Sequence, residues 1–478
     1  MRSSKLYSIL ETFNKYEQNR LRKFLHSPYF NKNERIHVLF ELLTQDVNKP
    51  QEKRPKELDK YQLWAALHPA KTYDDVRFRK YCSDLLKLVE AYLAQEMFES
   101  NPLYKATLLI EAVGHRKIEK LYNSVMRTAN RYAENYPYKS ALYYYHQYQK
   151  EKNFYDLNEA ELKRAEKSNM EEIANNLDRF FLAEKLRIYC AVLNQQKLVS
   201  VEYNLLFIEE IIRHIEQHLE DKYAEVPPIA VYYQIYLATQ YPQEERHYRK
   251  LKKLLAKHID AFPKKEALTI YYSAINYCIQ KVIHGHAEFQ KELFDLYRTM
   301  LEKDILLANG ELSPWDFKNI VLVGLRMKAY DWTEQFIRNY QNDLPEQFRR
   351  NAVTYNLATL YFRKKEYPKV VELLREVEYE EFSYNLNSKV LLMATYYEME
   401  EFDPLHFLME SFRTYLMRHK EIPPDRRKIF SNFIRYTRKL TRLIPGDVKA
   451  IEKVQKELEA DKEVVNKDWL LEKLEELK

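Results

Sequence analysis

Glycine is scarce in this sequence, which has 5 glycines among 478 residues, about 1% against a usual frequency near 7%. Tight β-hairpins, phosphate-binding loops and strand-to-helix turns use glycine, because positive φ costs little energy only there. The scarcity therefore argues against a sheet protein. The 40 tyrosines are suited to filling the large gaps between packed helices, and apolar residues recur at three- and four-residue spacing. This composition predicts an all-α fold.

Cysteines and long apolar runs are also few. Cys82, Cys190 and Cys278 lie far apart, are odd in number and form no CxxC motif, so we expect no disulfide framework and a reducing, cytoplasmic location. No window approaches the roughly 18 consecutive apolar residues that span a bilayer, and the first residues lack the apolar core of a secretory signal. The net charge of +6 permits an acidic partner without requiring one.

One proline interrupts an otherwise continuous amphipathic pattern. Pro368 lies inside the stretch NLATLYFRKKEYPKVVELL (356–374). Proline lacks an N–H and crowds the preceding turn, so it favours the first position of a helix. The stretch therefore predicts two helices with a tight bend between Lys364 and Tyr367.

The same pattern recurs along the chain. Segments that begin at 319, 356 and 391 align at offsets of 37 and 35 residues. The matching apolar positions are Ile320 with Leu357 and Leu392, Tyr330 with Tyr367 and Phe402, and Ile337 with Leu374 and Met409. A fixed period in the thirties indicates an array of helical hairpins, each of which buries its apolar face against its neighbours.

The second of these segments resembles the tetratricopeptide repeat. The large, small, aromatic and turn-aromatic positions of that family are matched by Leu357, Ala358, Tyr361 and Tyr367. Gly324 departs from the pattern, because it stands where the first segment should carry the helix aromatic. The resemblance implies a right-handed α-solenoid whose concave groove is lined by the first helix of each pair. Two further segments, FLHSPYFNKNERI (24–36) and LSPWDFKNIV (312–321), resemble an uncharacterised bacterial family of helical-repeat proteins, which implies no particular activity.

Periodicity and helix boundaries divide the chain into four regions. We predict a separate N-terminal helical domain over 1–100 and longer helices over 101–225, including one from about 169 to 196. Tetratricopeptide-like repeats follow over 226–419, and a basic helix with capping helices completes the chain over 420–478. Ser313, Pro314 and Asp316 have the cap, the first-position proline and the first-turn carboxylate expected where a helix starts.

Signatures of catalysis are absent from the sequence. It has no glycine-rich phosphate loop, no GxSxG and no HExxH, so we predict no enzyme, no cofactor and no small-molecule substrate. His214 and His218 lie four residues apart on a predicted helix and could share a metal ion, but the helix supplies no third ligand. His284 and His286 flank Gly285, which is typical of a helix end. We therefore predict no metal site.

A repeated polar pattern gives the first candidate site. Asn319 and Asn356 occupy the same register, and Asn276 holds it one unit earlier. Arg326 follows Asn319 by seven residues, and Arg363 follows Asn356 by the same distance. Seven residues are nearly two helical turns, so each arginine lies on the same face as its asparagine. We call these five residues the asparagine row. Stacked amides could grip the backbone of an extended peptide, and the arginines could bind carboxylates; alternatively, the asparagines bond between neighbouring helices.

The second candidate is the segment RRKIFSNFIRYTRKLTR (426–442), which has seven basic and no acidic residues. On a helix, one narrow side carries what we call the basic stripe, formed by Lys428, Arg435, Lys439 and Arg442. The opposite side carries Phe430, Phe433, Thr437 and Leu440. Such a stripe could contact nucleic-acid phosphates or an anionic membrane surface. The alternative is a solvated outer face of the last hairpin, which could pair with the glutamate-rich tail DWLLEKLEELK (468–478).

These patterns support two functions from different classes. The first is a non-enzymatic interaction scaffold that binds a peptide or partner protein in a concave groove at the asparagine row. The alternative is a helical-repeat protein that associates with nucleic acid through the basic stripe. An enzyme ranks third, because no nucleophile, base and orienting partner can be assembled from the spacing of residues.

Overall fold

The computed structural model describes residues 1–50, 58–157, 168–196, 199, 201–307, 310–375 and 382–478, with the side chains of 382 and 383 excepted. Within these residues the secondary structure comprises 23 α-helices and no strand. The predicted all-α fold class is therefore confirmed. No helix in the described ranges is long and apolar enough to cross a membrane.

The chain divides into two compact units, Met1–Leu182 and Ala183–Lys478. The helices of the first unit are α1 (Lys5–Glu11), α2 (Lys15–His26), α3 (Glu34–Val47), α4 (Lys60–Leu67), α5 (Asp75–Ser100), α6 (Pro102–His115), α7 (Glu119–Glu134) and α8 (Ala141–Leu157). Helix α9 (Met170–Gln196) contains the boundary between the units and matches the long helix predicted over about 169 to 196.

The helices of the second unit run from residue 208 to residue 477. They are α10 (Ile208–His218), α11 (Pro227–Gln240), α12 (Glu245–His258), α13 (Lys264–Ile283), α14 (Phe289–Glu302), α15 (Pro314–Arg326), α16 (Tyr330–Tyr340), α17 (Glu346–Arg363), α18 (Tyr367–Leu374), α19 (Phe382–Glu398), α20 (Phe402–Arg418), α21 (Pro424–Leu440), α22 (Val448–Ala460) and α23 (Lys467–Leu477).

In the first unit, helix α3 lies at the centre of an apolar core. It contacts α1, α2, α4 and α5 and contributes Leu39, Phe40 and Leu43, all fully buried. A buried carboxylate, Asp46, accepts hydrogen bonds from Arg2 and from the Tyr7 hydroxyl, both at 2.8 Å. This core cluster ends at residue 92, but the compact unit extends further because α5 also contacts α6, which packs against α7 and α8.

In the second unit, consecutive helices pair, and most first helices also contact the first helix of the next pair. Helix α11 packs on α12 and α13, α15 on α16 and α17, α17 on α18 and α19, and α19 on α20 and α21. Each pair thus covers apolar surface that its neighbour leaves open, as in the buried set of Ala358, Tyr361, Val370, Leu374 and Leu392.

Three of these pairs turn back in the same way. Helix α17 ends at Arg363 and α18 begins at Tyr367 with Pro368 in its first turn, which confirms the bend predicted there. The left-handed residues Lys328, Lys365 and Glu400 have φ values of 56°, 59° and 58°. After each, a backbone N–H returns to the carbonyl five residues earlier, at 3.0, 2.9 and 2.9 Å. These are Schellman turns, and they recur at the offsets that the alignment predicts.

Gly324 marks a close approach between α15 and α16. A Cβ atom at this position would lie 2.3 Å from Thr333 Oγ1, so the aromatic residue that the repeat pattern expects has no room there. The start of α15 agrees with the prediction, because Ser313 is the N-cap and its hydroxyl accepts from the Trp315 N–H at 3.3 Å.

Tyrosine hydroxyls connect successive pairs in the second unit. They donate to carboxylates on a later helix: Tyr232 to Glu266 at 2.8 Å, Tyr272 to Asp316 at 2.7 Å and Tyr248 to Glu292 at 3.0 Å. We call these three contacts the tyrosine bridges. Burial raises the pKa of the Glu266 and Asp316 carboxyls, while the tyrosine hydrogen bonds act in the opposite direction.

Helix α23 packs against α21 and α22. Its Trp469 is buried beside Phe433 of α21, with ring centroids 6.0 Å apart, and its indole N–H donates to the Glu398 carboxylate at 2.7 Å. Lys473 Nζ lies 3.0 Å from the same carboxylate. Helix α23 therefore covers one side of α21.

Candidate functional site

The asparagine row does not form one accessible strip. Asn276 is exposed, Asn319 is partly buried and Asn356 is only 2% exposed. Arg326 and Arg363 are exposed at the ends of α15 and α17. The predicted register is present, but the side chains that share it lie in different environments.

Asn356 differs most from its expected role. Its side-chain amide donates to the backbone carbonyl of Ala352 at 2.8 Å, one turn earlier in α17. Asparagine can bond to the backbone of its own helix in this way, and a side chain that is only 2% exposed is not accessible to a ligand. The expectation that Asn356 lines an open groove therefore has to be corrected for this residue.

The geometry of the basic stripe agrees with the prediction. Helix α21 begins at Pro424 and ends at Leu440. The side chains predicted to lie opposite the stripe are buried, namely Phe430, Phe433, Thr437 and Leu440. Lys428 and Arg435 are exposed, whereas Lys439 is half-buried. The apolar face of α21 is thus held in the core, and this fixes the direction in which the cations point.

The stripe forms one wall of a larger depression between α20 and α21, which we call the basic groove. It has a volume of about 640 Å³. Its lining comprises Arg413, Leu416, Met417, Pro424, Arg427, Lys428, Ser431, Ile434, Arg435, Arg438, Lys439 and Arg442. Seven of these residues are basic, and no carboxylate is present among the described lining residues. The groove therefore concentrates positive charge on one surface.

Four of the seven cations are paired with carboxylates that lie outside the groove lining. The pairs are Lys428 with Glu463, Arg435 with Asp461 at 3.0 Å, Lys439 with Glu457, and Arg438 with Glu410. Glu463 raises the pKa of Lys428, and Lys439 lowers the pKa of Glu457. Three members of the basic stripe therefore pair with carboxylates between residues 457 and 463, which precede the glutamate-rich tail named in the alternative.

The other three cations are arginines without an ion pair to any described residue. Arg413 projects from α20, Arg427 from the first turn of α21, and Arg442 lies just beyond its end. The Arg427 Nε–H is buried and has no hydrogen-bond acceptor among the described residues. A buried donor without an acceptor costs roughly 1–3 kcal/mol.

The groove also has an apolar floor. Leu416 and Ile434 are buried at its base, whereas Met417 is 61% exposed and Pro424 is exposed at one end. Arginine forks recognise carboxylates and phosphates in a bidentate manner, and exposed methionine adapts to irregular apolar surfaces. The arrangement is suited to binding an anion that also carries an apolar face.

One cluster of three metal-type donors occurs within the described residues, formed by Glu245, His286 and Glu288. Glu245 already pairs with Arg249 at 3.0 Å and lies 3.6 Å from Lys281 Nζ. These cations compete with a metal ion for the carboxylate, so the cluster is a weak candidate.

The other histidines weighed as ligands have protein partners. His214 Nε2 lies 2.9 Å from the Tyr223 hydroxyl, and His218 Nδ1 lies 3.4 Å from Asp221. Gly285, with φ of 93°, ends α13 between His284 and His286 as predicted. The thiols are also poorly suited to nucleophilic chemistry, because burial raises the pKa of Cys82 to about 11 and that of Cys278 to about 12.

Sequence reasoning identified the basic stripe but not Arg413 or the apolar floor. Arg413 joins the groove because α20 and α21 pack side by side across the loop 419–423, and no motif indicates that pairing.

Comparisons of this chain with models of protein families, with curated proteins and with solved structures each find no match.

Proposed function

We propose that this protein is a non-enzymatic interaction scaffold, built as a right-handed α-solenoid of tetratricopeptide-like hairpins, which binds an anionic partner protein or peptide in the basic groove. Support for the architecture comes from the Schellman turns at Lys328, Lys365 and Glu400 and from the contacts between successive first helices. Solenoids of this kind commonly use an extended surface for binding.

One observation carries the choice of site: seven cations line one groove whose described lining has no carboxylate, and three of the seven have no ion pair with described residues. Like charges held together repel each other, and a groove of one sign attracts ligands of the opposite sign. The asparagine row offers no comparable surface, because Asn356 is buried and paired.

Nucleic acid is the second candidate partner. Lys428 and Arg435 on α21 and Arg442 just beyond its end recur at seven-residue intervals, which corresponds to roughly 10 Å between the two charges on the helix. Such a row could follow a phosphate backbone, and binding would then weaken steeply with salt.

The test compares two double variants that change the charge equally. Arg413→Glu with Arg442→Glu alters the basic groove, and Arg326→Glu with Arg363→Glu alters the exposed arginines of the asparagine row. Calorimetric titration at low salt with polyglutamate and with a single-stranded oligonucleotide should show at least a tenfold loss of affinity for the groove variant. The row variant should bind like the parent.

Other results would contradict the proposal. Equal losses in both variants would mean that net charge rather than the groove governs binding. Binding of neither probe by the parent protein would remove the groove as a functional site. Loss of affinity in the row variant alone would return the site to the asparagine row.

We also propose a reducing compartment such as the cytoplasm. The support is the chemistry of the three cysteines, which are free thiols, two of them buried.

A further inference from the structure

We propose that the occupant of the basic groove is an acidic amphipathic helix of a partner protein. This inference rests on the proposed function, because it assigns a specific ligand to the same groove.

The floor distinguishes an amphipathic ligand from a simple polyanion. The exposed Met417 and Pro424 present apolar surface beside the basic side chains, and Leu416 and Ile434 are buried beneath. A polyanion would use the cations and leave this surface in water. A helix with one apolar side would bury it, and burial of apolar surface contributes roughly 25 cal/mol per Å².

The spacing of the cations fits a helix lying alongside α21. Lys428, Arg435 and Arg442 repeat every seven residues, and a parallel or antiparallel helix repeats its own face at the same interval. Carboxylates at seven-residue spacing on the partner would therefore meet successive cations. Arg413 and Arg427, which have no ion pair with described residues, can each bind a carboxylate through two N–H groups.

The lining disfavours single-stranded nucleic acid. None of the twelve described lining residues is aromatic, whereas proteins that bind single strands stack bases on aromatic side chains. The nearby rings of Phe430, Phe433 and Tyr436 are buried in the core of the unit instead. Nucleic acid would have only phosphate contacts here.

The experiment uses two synthetic peptides of the same composition. In the first, leucines occupy one side of an 18-residue helix and glutamates the other; in the second, the same residues are shuffled so that neither side is uniform. Titration calorimetry with the full chain at low salt should show about tenfold tighter binding of the amphipathic peptide.

A pair of variants on α20 tests the floor. Met417→Gln, within the groove, should lower the affinity for the amphipathic peptide about fivefold. Phe407→Gln is the matched control, because Phe407 is 79% exposed on the same helix outside the groove lining, and it should leave that affinity unchanged. Both positions are exposed, so circular dichroism should show unchanged helicity.

The outcomes separate the two proposals. Equal affinity for the two peptides, with polyglutamate still bound in the groove, would overturn this inference and leave the proposed function standing. Tighter binding of an oligonucleotide than of either peptide would replace the helical partner with nucleic acid. If the parent protein binds no anionic probe, both proposals fail.

Discussion

The asparagine row and the basic groove are both polar sets at regular helical spacing, yet their surroundings differ. Asn356 has its amide hydrogen-bonded to the backbone carbonyl of Ala352 within its own helix. Arg427 in the groove has a buried N–H with no acceptor among the described residues. The comparison shows that regular spacing alone does not identify a binding surface. The distinguishing property is that the groove gathers seven cations on one surface, whereas the members of the asparagine row lie in different environments.

The carboxylates of the tyrosine bridges and the carboxylates around the basic groove also differ in their surroundings. In the middle of the second unit, the tyrosine bridges connect hydroxyls to carboxylates that are largely enclosed, such as Asp316. Around the groove, carboxylates such as Asp461 pair with exposed Arg435 and other cations. Enclosed bridges are expected to hold helices together, whereas exposed ion pairs contribute little stability and can exchange for a ligand.

The largest expected effect tests whether Asn356 is structural. We expect Asn356→Ala to lower the free energy of unfolding by about 2 kcal/mol, because it removes a buried amide and its hydrogen bond. Asn276→Ala, at the exposed equivalent position, should change it by less than about 0.5 kcal/mol. Urea denaturation measures both. Similar values for the two variants would show that burial does not separate the members of the asparagine row.

The second-largest expected effect compares the stability contributed by the Tyr272–Asp316 hydrogen bond with that contributed by the exposed Arg435–Asp461 ion pair. Tyr272→Phe should destabilise the protein by about 1–2 kcal/mol at pH 8, because it leaves the Asp316 carboxylate without its donor. Arg435→Gln should cost roughly 0.2–1 kcal/mol, as for other exposed ion pairs. Urea denaturation at matched pH measures the difference, and a larger loss for Arg435→Gln would reverse the assignment.

The hydrogen bond between Tyr272 and Asp316 should also make the stability of the protein depend on pH. Burial raises the pKa of Asp316 above its ordinary value, so its contribution to stability is present at low pH and falls as pH rises through the folded pKa. Loss of the tyrosine donor raises that pKa further. The destabilisation by Tyr272→Phe should therefore be smaller at pH 5 than at pH 8, and Asp316→Asn should remove this part of the pH dependence.

The smallest expected effect on stability concerns the left-handed residues of the Schellman turns. Lys365 is a non-glycine residue with φ of 59°, a conformation that costs roughly 1–2 kcal/mol for most residues but little for glycine. Lys365→Gly should therefore raise the free energy of unfolding by about 1 kcal/mol, measured by urea denaturation. The same substitution at Lys328 and at Glu400 should have the same sign. Destabilisation at all three positions would contradict the shared turn geometry.

Local signals in the sequence predicted the helix boundaries well. Pro368, Ser313 and Gly285 act on the backbone beside them, so the bend, the N-cap and the helix end could be predicted from residue type. The left-handed turns could not, because Lys328 and Glu400 have no intrinsic preference for positive φ. Packing of the paired helices imposes that conformation.

The candidate site was only partly predictable for a related reason. The seven cations between 426 and 442 and their apolar opposite face follow from helical periodicity. The burial of Asn356 and the contribution of Arg413 depend on which helices pack together, and single residues do not encode those contacts. Helical periodicity therefore predicts the basic stripe, whereas the basic groove depends on contacts between helices that the sequence pattern does not indicate.

The position of Trp469 has a practical consequence for spectroscopy. Its indole ring lies beside Phe433, on the buried face of the helix whose other face lines the basic groove. Tryptophan emission changes when the ring's surroundings become more polar, so Trp469 is an intrinsic optical reporter for α21. A ligand that shifts this helix should alter the emission without any attached dye, while Trp469→Phe would silence the signal and identify its source.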